Sequence, residues 1–218
     1  MTRNAASRLA VVVVAMLIVT LAPAQEYSLK DYMPQTVGSK WAFGTTNRQG
    51  EATTITYEVD EARDFGGTLG YPILTKDAEG NLTRGSFEAV SEESLTLFGS
   101  IFVPRGPQAT GGPFEVIHDP PAVFPGKLTA GQTAEATVKS NRGGQEMQFT
   151  IKLELAAVES VTVPKGTFAD CLKLVFATTT DRGEMKRTLW YAKGVGLVKT
   201  ESSGFGPNPT PRIAELTD

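Results

Sequence analysis

His118 and Cys171 are the only histidine and the only cysteine of the chain, and they set the limits of its chemistry. A Ser-His-Asp arrangement has serines and aspartates to draw on, but no G-x-S-x-G turn marks a nucleophile. His118 stands in Ile117-His118-Asp119-Pro120, ahead of a turn, and reads as a loop histidine with local hydrogen bonds. A cysteine–histidine dyad requires Cys171 to be exposed beside His118. Cys171 instead lies between Asp170 and the apolar alternation Leu172, Leu174, Phe176, the setting of a small buried strand side chain. The alternative, a reactive or intermolecular thiol, finds no histidine or cationic cluster near it in sequence.

Zinc wants several His or Cys ligands, and the chain has one of each. The densest acids, Asp60-Glu61 with Asp64 and Glu92-Glu93, lack a calcium-loop pattern and read as solvated loops or strand ends. A glycosidase needs one selected pair of carboxylates, which acid content alone does not pick out. Gly194-x-Gly196 precedes no helix and is not a phosphate loop. Arg182 and Lys186-Arg187 flank one hairpin, where a solvated strand face is preferred over an anion site. The sequence assigns no catalytic residue, no metal ligand, no cofactor and no binding residue, and a non-enzymatic protein is the expectation.

The elements around these residues are strands. Lys40–Thr45, Thr53–Asp60, Leu69–Thr75, Asn81–Val90 and Leu95–Val103 carry period-two patterns or short apolar runs, with Ile55, Tyr57 and Val59 on one face. Gln132–Ser140 turns through Asn141-Arg142-Gly143-Gly144 into the best alternation of the chain. There Phe149, Ile151, Leu153 and Leu155 face one way, and Gln148, Thr150, Lys152 and Glu154 the other, as in an antiparallel sheet with one buried face. Val161 and Val163, Leu172–Thr179, Met185–Ala192 and Leu197–Glu201 continue the series. Trp190 and Tyr191 must face opposite sides of their strand. Only Ser28–Tyr32 looks helical, for about one turn. Residues 104–126 hold six prolines, and read as a crossing connection with at most a short edge strand over Phe114–Ile117. The Pro/Gly-rich residues 204–218 read as a frayed C-terminal tail. Signals in the two halves recur with an offset of about 95 residues, the spacing of two pseudo-repeated halves or of turn residues recurring by chance.

Residues 1–24 read as a cleavable signal peptide: Arg3 and Arg8, an apolar run over Leu9–Leu21, then Ala22-Pro23-Ala24. No cysteine stands at the cleavage point, so the lipid-anchored route is closed. Residues 25–203 read as a single β domain. Loss of Arg3 and Arg8 leaves 19 basic against 24 acidic residues, a net charge of −5. That balance argues against nucleic acid as a partner, and no stable membrane insertion is expected once the signal is cleaved. The expected location is the periplasm or the extracellular medium, with the oligomeric state open.

Residues 159–201, ESVTVPKGTFADCLKLVFATTTDRGEMKRTLWYAKGVGLVKTE, resemble the C-terminal signature of the TapB-like family of exported bacterial proteins. YMPQTVGSKWAF is similar to that family's opening, and PPAVFPGKLTAGQ to its central element, with Ala134 where a bulky residue is usual. The resemblance implies a curved antiparallel sheet related to the open half-barrels of periplasmic lipoprotein carriers. It implies no reaction and supplies no site residues. The expected fold is therefore all-β, a strongly curved antiparallel sheet, open and half-barrel-like, with very little helix. The expected function is binding of an apolar ligand, an acyl chain or a partner segment on the concave face. The alternatives are a protein-interaction or envelope scaffold module using open sheet edges or the 104–126 loop, and a hydrolase using His118 or a carboxylate pair.

Overall fold

Period-two alternation carries through into a chain built almost wholly of strands. The computed structural model describes residues 24–46, 50–104, 111–142, 145–181, 183–203 and 212–218. Residues 1–23 of the expected signal peptide, Gly143-Gly144 of the expected hairpin turn, Arg182 and residues 204–211 lie outside that set. In chain order the strands are β1 (Glu26–Ser28), β2 (Lys40–Thr46), β3 (Ala52–Val59), β4 (Arg63–Asp64), β5 (Leu69–Lys76), β6 (Leu82–Val90), β7 (Ser94–Phe102) and β8 (Phe114–Pro125). They continue as β9 (Lys127–Thr129), β10 (Thr133–Arg142), β11 (Gln145–Val163), β12 (Gly166–Thr180), β13 (Gly183–Ala192), β14 (Gly196–Ser202) and β15 (Arg212–Leu216). The one helical element among the described residues, a 3-10 turn over Leu29–Asp31, falls inside the segment expected to be helical.

The sheet closes on itself. β3 pairs with β2 on one side, with Tyr57 opposite Trp41, and with β5 on the other, with Val59 opposite Ile73. The resulting ring has twelve antiparallel strands, ordered β3-β2-β15-β14-β13-β12-β11-β10-β8-β7-β6-β5 and back to β3. Along the chain it is two runs of six: β2, β3, β5, β6, β7, β8, and then β10 to β15. Trp41 and Ala134 sit in the first strand of each run, and Gly67-Thr68-Leu69 and Gly166-Thr167-Phe168 introduce the third.

The open half-barrel expectation is thus corrected to a closed barrel, and the reason lies in two segments. Residues 104–126 were expected to cross as a loop and 204–218 to fray. Instead they supply β8, between β7 and β10, and β15, between β14 and β2. Without these two strands the ring would be open in two places. β8 tolerates its prolines through a bulge. Ile117 pairs with Gly99 and Ala122 with Leu97, so His118-Asp119-Pro120-Pro121 stand opposite Phe98 alone. Pro120 and Pro121 fall where the ladder to β7 asks for no donor. Gly99 is required there, because a Cβ at this position would run into the Val116 carbonyl. β15 is held by register on both sides, with Thr200 opposite Ala214 and Leu216 opposite Phe43, and both Ala214 and Leu216 are buried.

Side chains alternate between a lumen and an outer face. On β11 to β13 the lumen receives Phe149, Ile151, Leu153, Leu155; Leu172, Leu174, Phe176; and Met185, Arg187, Leu189, Tyr191, which follow one another across the register. The outer face of the same strands carries Lys152, Glu154, Lys173, Glu184 and Lys186. On the outer face of β6 and β7, Phe87 and Phe98 are covered by Phe65 from the β4 segment, stacked 4.5 Å from Phe98.

One end of the barrel is plugged by the N-terminal segment. β1 pairs with β9, and the 3-10 turn then drops Leu29, Tyr32 and Met33 into the ring against Leu95, Phe124, Leu128, Leu153 and Leu172. Hydrogen bonds tie the segment down, among them Leu29 N–H to Gly126 O (2.8 Å), Gly194 N–H to Asp31 O (2.8 Å), Gln35 Nε2 to Glu88 O (3.0 Å) and Val90 N–H to Gln35 Oε1 (2.9 Å). Leu29 is fully buried, whereas Val37, just beyond the plug, is half exposed. Leu29→Ala is expected to lower unfolding free energy by about 2–5 kcal/mol, and Val37→Ala to stay within about 0.5 kcal/mol. Guanidinium titrations of both variants check this, and equal midpoints would show that the plug is not part of the core.

Candidate functional site

The plug fills only part of the lumen. Beyond it lies a cavity of about 850 Å³, running from Met33 and Gln35 on the plug to Thr180, Asp181 and Ser203 at the far hairpins. Its wall is mostly apolar, with Leu97, Val116, Phe149, Ile151, Phe176 and Leu189 among its side chains. This volume is within the range of about 300–1,000 Å³ typical of small-molecule sites.

A polar cluster interrupts the apolar wall. β3 brings Tyr57 into the lumen, β6 brings Arg84, Ser86 and Glu88, and β13 brings Arg187 and Tyr191. Each is on the inward phase of its strand. Both guanidiniums converge on one phenol oxygen: Arg84 Nη2 donates to Tyr57 Oη at 2.8 Å and Arg187 Nη2 at 3.1 Å. The Arg187 guanidinium also lies 6.0 Å from the Tyr57 ring centroid. Ser86 Oγ donates to Glu88 Oε1 at 2.5 Å. Arg187 and Glu88 keep some surface open to the lumen while lying deep inside the protein. The Nε of Arg187 and the Oγ of Ser140 are buried without a hydrogen-bond partner among the described residues.

The electrostatics follow from this placement. Burial pushes the Glu88 carboxyl above its ordinary value, outweighing the Ser86 hydroxyl and the Arg187 charge. Burial also drives Tyr191 strongly upward, with Glu88 adding to it. Tyr57 goes the other way: burial raises it, but Arg187 and Arg84 together outweigh burial and pull it down. Arg187 is held above its ordinary value although burial opposes its charge, because Tyr57, Tyr191 and Glu88 surround it. The cations of the cluster are Arg187 and Arg84, which meet at the Tyr57 oxygen.

The residues singled out by sequence fall differently. His118 was read as a loop histidine. It is instead buried in β8, facing the lumen, its Nδ1 3.4 Å from Leu97 O and its ring edge-on to Phe149 at 5.4 Å. Burial lowers its pKa, so it is neutral at pH 7. Ser140 is its cross-strand partner, yet the Ser140 hydroxyl bonds to nothing among the described residues, so it is not primed as a nucleophile. Cys171 is fully buried in β12, and burial raises its thiol. Asp60, Glu61, Asp64, Glu92 and Glu93 are exposed, and no group of three or more His, Cys, Asp or Glu among the described residues is arranged to hold a metal ion. Tyr191 lines the cavity. Trp190 faces outward, its Nε1 donating to Glu159 at 2.7 Å, with the Lys173 and Lys199 ammoniums over its ring.

Arg187 is the correction that matters most. It was grouped with Lys186 on a solvated strand face. Lys186 is exposed, but Arg187 lies on the inward phase with Met185, Leu189 and Tyr191. Arg84 and Glu88 were not singled out at all, although the alternation of β6 puts them on the face of Val90. Period two was the signal available for all three.

Tyr57→Phe removes the buried acceptor shared by the Arg84 and Arg187 guanidiniums, and is expected to cost about 1–3 kcal/mol in chemical denaturation. Glu88 gives a pH signature. Its folded pKa is raised above the ordinary 4.5, so the folded state holds the proton more tightly than the unfolded chain. Its contribution is complete below that ordinary value and is lost as pH rises through the folded pKa. Glu88→Gln is expected to flatten this decline above the ordinary value. Denaturation midpoints that fall with pH equally in both proteins would contradict the assignment.

The comparisons with known proteins give distant similarities and no function. No curated protein matches the chain. Three solved structures are similar. A candidate lipoprotein from Parabacteroides distasonis shares 19% identity, with 85% of this chain and 96% of that chain covered and a TM-score of 0.45. A candidate exported protein with a YmcC-like fold from Bacteroides fragilis shares 16%, with 85% and 97% covered and a TM-score of 0.47. The hypothetical lipoprotein YmcC from Escherichia coli shares 8%, with 82% and 84% covered and a TM-score of 0.39. Residues 114–204, from the start of β8 to just past β14, match the family model described as DUF3108-like, a span that contains β10 to β14 of the second run, and Arg187.

Proposed function

We propose that this is an exported, non-enzymatic binding protein that holds an apolar ligand, such as an acyl chain, inside its barrel. The observation that carries the reading is the hollow half of the lumen, about 850 Å³ with a mostly apolar wall. The TapB-like resemblance of residues 159–201 and the signal-like residues 1–24 belong to the same proposal. So does a position in the periplasm or medium.

The direction of the alternation supports a barrel that works in water. A membrane-spanning barrel turns an apolar band outward and polar residues inward. Here Phe149, Ile151, Leu153 and Leu155 point in, while Lys152, Glu154, Lys173 and Lys186 point out. A scaffold role through open edges gains no support from a ring whose strands are each paired on both sides.

Adjacent threonines on β12 test the location of binding. Thr178 lines the cavity, and Thr179 is exposed on the outer face. Thr178→Trp is expected to weaken binding of an apolar fluorescent probe such as N-phenyl-1-naphthylamine by at least about tenfold by filling the lumen. Thr179→Trp is expected to leave it unchanged. Equal binding by both variants would place the probe elsewhere and end the lumen reading.

A further inference from the structure

We propose that the lumen takes an amphiphilic anion, with its hydrocarbon body on the apolar wall and a carboxylate or phosphate head on the guanidinium of Arg187. This rests on the binding function proposed above and names the class of ligand.

The argument starts from an incomplete cation. A guanidinium has five N–H donors in a fixed fork. Arg187 spends one Nη on Tyr57 Oη, while its Nε is buried and bonded to nothing among the described residues. Arg84 adds a second positive charge through the same phenol oxygen. Among the described residues no ion pair joins Glu88 to Arg187: the Glu88 carboxyl accepts from Ser86 Oγ, and burial raises its pKa. A buried cation short of partners is costly. An oxyanion completes it with charge-assisted, and for a planar fork bidentate, hydrogen bonds.

The wall decides what is attached to that oxyanion. Arg187 neighbours Met185 and Leu189 on its own strand phase and lies opposite Phe176 on β12. Phe149, Ile151 and Leu97 continue the same cavity. A small free anion would satisfy Arg187 and leave this surface facing water. A hydrocarbon tail covers it at about 25 cal/mol per Å² removed from water. An uncharged hydrocarbon would do the reverse, covering the wall and leaving Arg187 incomplete.

The test compares heads on one tail. Dodecanoate, dodecyl phosphate, dodecanol and inorganic phosphate are titrated by calorimetry into the chain from Gln25 and into Arg187→Gln. The expected result is that at least one of the two anionic amphiphiles binds wild type about tenfold or more tighter than dodecanol. The tighter of the two separates a carboxylate head from a phosphate head. Arg187→Gln is expected to abolish the preference while leaving the dodecanol affinity within about twofold, since the wall is intact. Equal affinity of all three amphiphiles for wild type would overturn the anionic head and leave the lumen reading standing. Binding of none of the three would overturn both. Inorganic phosphate binding as tightly as dodecyl phosphate would overturn the amphiphile. Because head preference is read on wild type, the inference stays testable if Arg187→Gln fails to fold, and Arg84→Gln then serves as the second variant, with a reduced preference expected and an unchanged one counting against the cluster.

Discussion

Ring closure with twelve strands fixes how wide the interior must be. With strands about 4.8 Å apart and tilted by about 40°, a round barrel of this size has a backbone radius of about 12 Å. Inward side chains reach across only about half of that. Barrels of about eight strands can be filled by their own residues, whereas wider ones enclose ligand cavities or need a plug. This chain uses both solutions, one at each end. The N-terminal segment supplies Leu29, Tyr32 and Met33 to complete the core at one end, and the described residues leave a cavity toward the other.

That division separates the packed core from the cavity. The plugged end holds fully buried Leu95, Leu128, Leu153, Leu155, Leu172 and Leu174, packed as one cluster. The outer surface adds a second layer, in which Phe65 closes over Phe87 and Phe98. β11 and β12 extend beyond their neighbours, and their hairpin returns to the C terminus through Lys165 N–H to Leu216 O at 3.1 Å. With the ring secured at its end, its rim and its outer face, the remaining wall is free to keep a cavity that a close-packed core would eliminate.

Much of this was legible in residues 145–201, where the alternation of Phe149 to Leu155 and the opposed faces of Trp190 and Tyr191 need only neighbouring strands to be expressed. Closure was not legible, because it depends on pairings between segments far apart in the chain. β8 hides behind prolines that a bulge removes from the ladder, and β15 is five residues whose partners, β14 and β2, come from opposite ends of the sequence. The polar cluster was missed for a local reason. Lys186-Arg187 reads as a charged pair, but consecutive residues of a strand face opposite ways. Charge alone favoured water for both, and phase sends Arg187 inward. His118 shows the converse: its Asp119-Pro120 neighbours signal a turn, yet the bulge places the ring inside.

The placement of Arg187 is hard to explain as structure alone. Well-packed apolar residues of similar volume commonly match or exceed the stability of a buried charged group, and the strand phase around it, Met185, Leu189 and Tyr191, would accept one. Tyr57 relieves the cation only partly, since one phenol oxygen serves two guanidiniums and Arg187 Nε has no partner among the described residues. The nearby carboxyl that would complete an internal ion pair is turned to Ser86 and disfavoured as an anion by its own burial. A fold selected for stability would close this gap with an ion pair or remove the charge. A fold selected to hold an external anion would keep it open, and would set it, as here, in the hollow half of the barrel and away from the plugged core that keeps the ring folded.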